Sequence, residues 1–290
     1  MIFDMVLRQI PSAGAGRSGA TSESTAAARA RNPQRSAAAR TALQAGGLLL
    51  SLMWALPAVA QSVSQFSKMA PGQPPAPWRI TGLPGSSKPV TKFEVVPLDG
   101  ERVLRVTTDK SYGAVIHDLE PGLLAPGTRL RWRWRLDQPL LDTDLNRRSG
   151  DDSPLKVCAM FDLPLQAIPL IERGKLSIAG SKAGGKLPSA TLCYVWDHLL
   201  PVGTELNNAF SQQIRFIIMG SGERNLKEWI SQERDLTQDF LRLFVDQTKT
   251  VPPLLAIAVG ADADNTQATS VGYVGDISLS AATTPVPAKP

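Results

Sequence analysis

Asp262, Asp264 and Asn265 lie in a polar loop between two apolar runs, and hard oxygen donors at that spacing suit a calcium ion. Asp and Asn in the same places also fold a turn on their own backbone, so a cation site and a solvated turn are both open. A second group, Asp142, Asp144, Asp151 and Asp152, could supply paired carboxylates for glycosidic bond cleavage. Loops between strands are often acidic without any such chemistry. His117 and His198 are the only histidines, each beside an aspartate, Asp118 and Asp197. Neighbours on a strand point to opposite faces, so neither pair is a preformed couple. With Gly220-Ser221-Gly222 as the nearest approach to a nucleophile elbow, a Ser/His/Asp hydrolase finds little support. Two histidines and two cysteines also show none of the spacings of a zinc site.

Cys158 and Cys193 each sit in an apolar run. An oxidising compartment would permit a bridge between them, but sequence leaves open whether they pair or stay as two buried thiols. Trp132 and Trp134 alternate with Arg131 and Arg133. The tryptophans could form a stacking platform for sugar rings, but they share a face with Leu130 and Leu136, which is the pattern of core packing. The arginines opposite are then the outward row, a seat for anionic ligands or an ordinary solvated face.

The elements that must hold these residues read as strands. Leu130, Trp132, Trp134 and Leu136 on one face and four arginines on the other make the clearest period-two run in the chain. Phe93 and Val95 lead into Asp99-Gly100, a two-residue hairpin turn, with Leu104 and Val106 returning. Continuous apolar runs at 157–161, 192–196 and 254–259 suit central strands covered on both sides, and 214–219 and 271–279 complete the set. Helical spacing stands out only at 236–244. Residues 163–190, rich in Pro, Gly and Lys, are expected as one long surface excursion. The predicted fold is all-β, a two-sheet antiparallel sandwich of jelly-roll type with one short helix.

Five segments together resemble a known bacterial exported family. They are Trp132-Arg133-Trp134, Gly150-Asp151-Asp152, Leu192-Cys193-Tyr194-Val195-Trp196, Trp229 followed by Glu233-Arg234-Asp235, and Asp262-Ala263-Asp264-Asn265-Thr266. Over roughly residues 92–280 the chain is similar to the family called domain of unknown function 3047, which brings no assigned activity with it. The family pattern carries an arginine shortly after the paired aspartates, where this chain has Lys156 as the nearest basic residue. The expected ligand contacts within these motifs are Asp151, Asp152, Arg133 and Arg234.

The first sixty residues carry six arginines and two acids, so of the chain's net charge of +5 only about +1 belongs to the remainder. A nucleic-acid-binding surface therefore loses its main support. Arg40, an apolar run from Ala45 to Leu56 and the small-residue site Pro57-Ala58-Val59-Ala60 read as a leader with a signal peptide over residues 1–60. The run is too short to span a bilayer, so no membrane span is expected after cleavage. A Pro-rich linker is expected over 61–77, the sandwich over 78–282 and a frayed tail over 283–290. The expected location is periplasmic or secreted. The expected function is a non-enzymatic envelope domain that binds a ligand, a glycan among the candidates, with no cofactor unless Ca²⁺ occupies Asp262, Asp264 and Asn265. The alternatives are a carbohydrate-active enzyme, a glycoside hydrolase or lyase using loop carboxylates, and a structural envelope interaction protein.

Overall fold

Alternation of apolar and polar residues along the chain is satisfied in two stacked sheets. The computed structural model describes residues 61–83, 86–183 and 187–281. The leader and signal peptide over 1–60 and the tail over 283–290 lie outside the described residues. The strands of the first half are β1 (Gln61–Ser64), β2 (Trp78–Thr81), β3 (Lys92–Leu98), β4 (Glu101–Asp109), β5 (Tyr112–Gly122), β6 (Arg129–Gln138) and β7 (Ser153–Phe161). Those of the second half are β8 (Ala190–Asp197), β9 (Glu205–Asn207), β10 (Ile214–Ser221), β11 (Ile230–Asp235), β12 (Leu254–Asp262), β13 (Thr269–Val274) and β14 (Ile277–Ser280). Helix α1 (Leu170–Ala183) joins β7 to β8, and α2 (Leu236–Leu243) follows β11 directly.

The first sheet links β1-β14-β6-β13-β4-β3, with β13 and β14 sharing one edge of β6 and β11 on the other, and the second runs β2-β5-β12-β7-β8-β10-β9. The expected hairpin is present, with Leu98 opposite Glu101. Asp99 and Gly100 both take left-handed backbone, φ 51° and 83°, as a tight turn between right-twisted strands requires. Along β6, Leu130, Trp132, Trp134 and Leu136 are buried, while Arg129, Arg131, Arg133 and Arg135 are partly exposed. A guanidinium costs far more to bury than an indole does to hide, so this orientation follows from desolvation. The inward rings join the sheets. Trp132 lies 5.0 Å from Tyr194, and Trp134 lies 5.8 Å from Trp196. Cys158 and Cys193 stand directly opposite in the β7–β8 register and form a disulfide.

The two-sheet sandwich stands as expected, with three differences of detail. β8 and β10 pair in parallel, so the sheets are not wholly antiparallel. Continuous apolar runs announce burial on both faces but carry no strand direction; here β9 returns antiparallel on the outer edge of β10. The excursion at 163–190 contains α1, a second helix. Its apolar residues lie on two faces, Leu176 and Ala179 buried and Ile171 and Ile178 in solvent, so no amphipathic stripe marks it. Residues 61–77, expected as a linker, belong to the sandwich. β1 pairs with β14, buried Phe66 packs 5.2 Å from Trp78, and Gly72 exchanges backbone hydrogen bonds with Val95 at 2.9 and 2.6 Å. The prolines mark where a central strand cannot run, but they do not prevent packing.

Trp132→Ala is expected to cost on the order of 3 to 5 kcal/mol, whereas Arg131→Ala, whose ion pair with Glu233 lies in solvent, is expected to change stability by less than about 1 kcal/mol. Urea denaturation of the two variants measures both values.

Candidate functional site

Two polar constellations stand out, one sealed and one open. The sealed one forms where β5 and β7 begin and β12 ends. Gly260 lies opposite Lys156 in the β12–β7 register. A Cβ at Gly260 would come within 3.1 Å of the lysine stem, so glycine there lets the stem pass across the neighbouring strand. The Lys156 ammonium reaches both oxygens of Asp262, at 2.9 and 2.8 Å. Asp152, fully buried, accepts from the Thr266 N–H at 2.6 Å and hydroxyl at 2.7 Å, and from the Asn265 N–H at 3.1 Å. Asp151 accepts from the Asn208 amide at 2.6 Å, and Asp264 pairs with Lys88.

Asp152, Asp262 and Asp264 bring their carboxylates within 4.8 Å of one another, so two of the three residues expected to hold calcium do converge. The chain supplies its own cations to them, Lys156 on Asp262 and Lys88 on Asp264. Asn265 turns its amide nitrogen toward Asp152 and the Asp151 carbonyl, so it donates where a metal needs an oxygen. These donors fit a buried ion-pair network better than a calcium shell. Asp151 and Asp152, expected as ligand contacts, are placed in the interior at 3% and 0% exposure.

Burial pushes the Asp262 carboxyl up to about 7 against the pull of Lys156, and burial raises that of Asp151 to about 6. Both groups are then protonated in the folded chain at a pH where the unfolded chain has lost those protons. Stability from these groups is fully present below the ordinary carboxyl range and falls as the pH rises toward about 7.

Arg234 is likewise structural. Its guanidinium holds Asp239 through two bonds of 2.8 and 2.6 Å. Asp239 also accepts from Arg242 and from the Tyr194 hydroxyl at 2.9 Å. Burial, with Asp239 adding to it, drives the Tyr194 phenol well above its usual range. The network fastens α2 to the sheets, with two nitrogens of the Arg234 guanidinium bonded to Asp239.

The open constellation lies on the outer face of the first sheet, where β6 meets β11 and β14. A groove of about 420 Å³ is lined by Arg131, Arg133, Ser231, Glu233, Glu101 and Asp276, among others. The β6–β11 register puts Arg131 opposite Glu233 and Arg133 opposite Ser231. Arg131 donates to Glu233 at 2.8 Å, which holds that carboxyl below its usual range. Arg133 pairs with Glu101, and its guanidinium lies 4.7 Å above the half-buried Trp229 ring, whose N–H donates to Asp99 at 3.2 Å. Arg133, with 33% of its side chain exposed, is the expected ligand contact that lines the groove. Strand β11 was missed as an element because Ile230 is its only large apolar residue, although Trp229 beside Glu233 hinted at it.

A family model described as a protein of unknown function, DUF3047, matches residues 76–278. The chain belongs to the DUF3047 family. No curated protein matches it. Among solved structures, this DUF3047 chain is similar to a family 11 carbohydrate-binding module of a Clostridium thermocellum cellulase, at 9% identity over 78% of this chain and 96% of that one, TM-score 0.38. It is also similar to an endoglucanase of Rhodothermus marinus, at 9% identity over 69% and 91%, TM-score 0.37. A putative sugar-binding protein of Bacteroides thetaiotaomicron overlaps at 11% identity over 78% and 95%, TM-score 0.32. Overlaps this distant carry no argument about what the DUF3047 chain binds.

Thermal melts from about pH 5 to about pH 8 should show Tm falling through the neutral range, and Asp151→Asn should flatten the lower part of that fall. Excess Ca²⁺ and chelator are expected to give the same Tm, since Lys156 and Lys88 already neutralise the cluster; a calcium-dependent rise would assign the site to the metal.

Proposed function

We propose that this DUF3047 protein is an exported, non-enzymatic binding domain that takes a neutral glycan in the groove over β6 and β11. The observation that carries the reading is the charge balance of the groove. Arg131 faces Glu233 and Arg133 faces Glu101, so each guanidinium already has its carboxylate. An anionic ligand would have to break those pairs, whereas a polyol can bridge donor and acceptor in each one. Trp229 packs against the Arg133 guanidinium at 4.7 Å and helps hold it at the groove.

Cleavage by loop carboxylates has weaker support. Asp151 and Asp152 are buried and hydrogen-bonded, Asp144 is held by Arg147, and Asp142 is exposed. Among the described residues, none of these aspartates lines the grooves over β6 and β11, beside β8 and β10, or at α1. Export is supported by the order of basic, apolar and small residues before Gln61, and by the Cys158–Cys193 bridge, which persists in an oxidising compartment.

Calorimetric titration against panels of neutral and anionic oligosaccharides tests the proposal. A neutral glycan should bind with little salt dependence, and Trp229→Ala and Arg133→Ala should each weaken it by at least roughly tenfold with Tm nearly unchanged. Binding confined to anionic glycans, and lost at high salt, would replace the neutral ligand with an anion.

A further inference from the structure

We propose that a second pocket, at the ends of β8 and β10, takes an amino acid or dipeptide that has a large apolar side chain and both charged ends free. This site goes beyond the glycan reading and does not rest on it. Ile230 lines the pocket, while its neighbours Ser231 and Glu233 line the groove on the opposite face of β11.

β8 and β10 pair in parallel and finish side by side, with Ser221 opposite Asp197, so the loops that leave the two strands stand next to each other. Between them opens a cavity of about 610 Å³, a volume in the range of small-ligand pockets. Both loops are fastened to the strand ends. Trp196 donates its ring N–H to the Gly222 carbonyl at 3.1 Å, and the Gly222 N–H donates to the Asp197 carbonyl at 2.9 Å. The buried Asp197 carboxylate accepts from the N–H groups of Leu199 and Leu200 at 2.8 and 2.6 Å. A Cβ at Gly220 would come within 2.5 Å of the Trp196 ring, so glycine there lets the indole lie across β10 as the pocket floor. The walls are thus built before a ligand arrives, which lowers the ordering cost of binding.

The residue types in the lining name the ligand. Leu199 and Val202 are each 61% exposed, and with Met219 and Ile230 they offer an aliphatic wall. The lining also carries Glu223 and Arg224, both exposed, adjacent in sequence and opposite in charge. Neither side chain has a hydrogen bond or ion pair among the described residues. In the groove over β6, by contrast, Arg131 and Arg133 already hold their carboxylates. An organic acid would satisfy Arg224 but oppose Glu223, an amine would do the reverse, and a neutral molecule leaves both charges without a counterpart. A zwitterion with an apolar side chain matches all three features. Its carboxylate takes the Arg224 fork, its ammonium takes Glu223, and its side chain covers Leu199 and Val202.

Calorimetric titration of the full chain with leucine, leucyl-leucine, N-acetyl-leucyl-leucine and leucyl-leucinamide tests this. A free zwitterion should bind, and blocking either end of the dipeptide should weaken it at least roughly tenfold. In Arg224→Ala the amide should bind as well as the free acid, and in Glu223→Gln the acetylated form should bind as well as the free amine, because each variant lacks the group that reads that end. Both side chains stand in solvent, so Tm should not move in either variant. Val202→Ser should weaken leucine and every form of the dipeptide alike. The tighter of leucine and leucyl-leucine assigns the pocket to the amino acid or to the peptide. Blocked and free forms that bind the wild type equally, or no binding of any of them at millimolar concentration, would overturn the proposal.

Discussion

The cost of taking a guanidinium out of water organises this sandwich. β6 alternates arginine with tryptophan and leucine, and period two allows only two orientations of the whole strand. Turning the arginines inward would strand four charges in the core. Turned outward, they leave Trp132 and Trp134 to meet Tyr194 and Trp196 from the opposite sheet, and the inter-sheet core is built around those rings. The groove is the other side of the same choice, because Arg131 and Arg133 become its floor and draw Glu233 and Glu101 into pairs.

The same rule sorts the remaining charges. Where a charged group lies inside, the fold supplies partners: Lys156 for Asp262, Asn265 and Thr266 for Asp152, and Arg234, Arg242 and Tyr194 for Asp239. These networks tie loops and α2 to strands distant in sequence, and removing one partner leaves an uncompensated buried charge. Burying Asp262 and Asp151 has a cost that shows as raised carboxyl pKa values, against the opposing pull of Lys156. The pairs over β6 and β11 stay at the surface, in solvent.

How much was legible in the sequence differs from element to element. The β3–β4 hairpin and the two faces of β6 were legible because a left-handed turn at Asp99-Gly100 and a strict period of two are local signals. α1 was not legible, because burying Leu176 and Ala179 on one side while leaving Ile171 and Ile178 in solvent on the other cancels the amphipathic period. Phe66 and β1 hid behind a proline-rich run whose packing depends on distant partners, Trp78 and β14.

By itself the sequence determined the all-β class, the inward tryptophans, the family, and the presence of two acidic clusters, since each rests on residue type and short-range spacing. Only the tertiary structure decided what those clusters do. Asp152 and Asp262 come together from positions about 110 residues apart, and nothing local announces that Lys156 crosses Gly260 to neutralise them. Whether a carboxylate is a metal ligand, a catalyst or one half of a buried pair depends on its burial and its partners. Long-range strand pairing sets both.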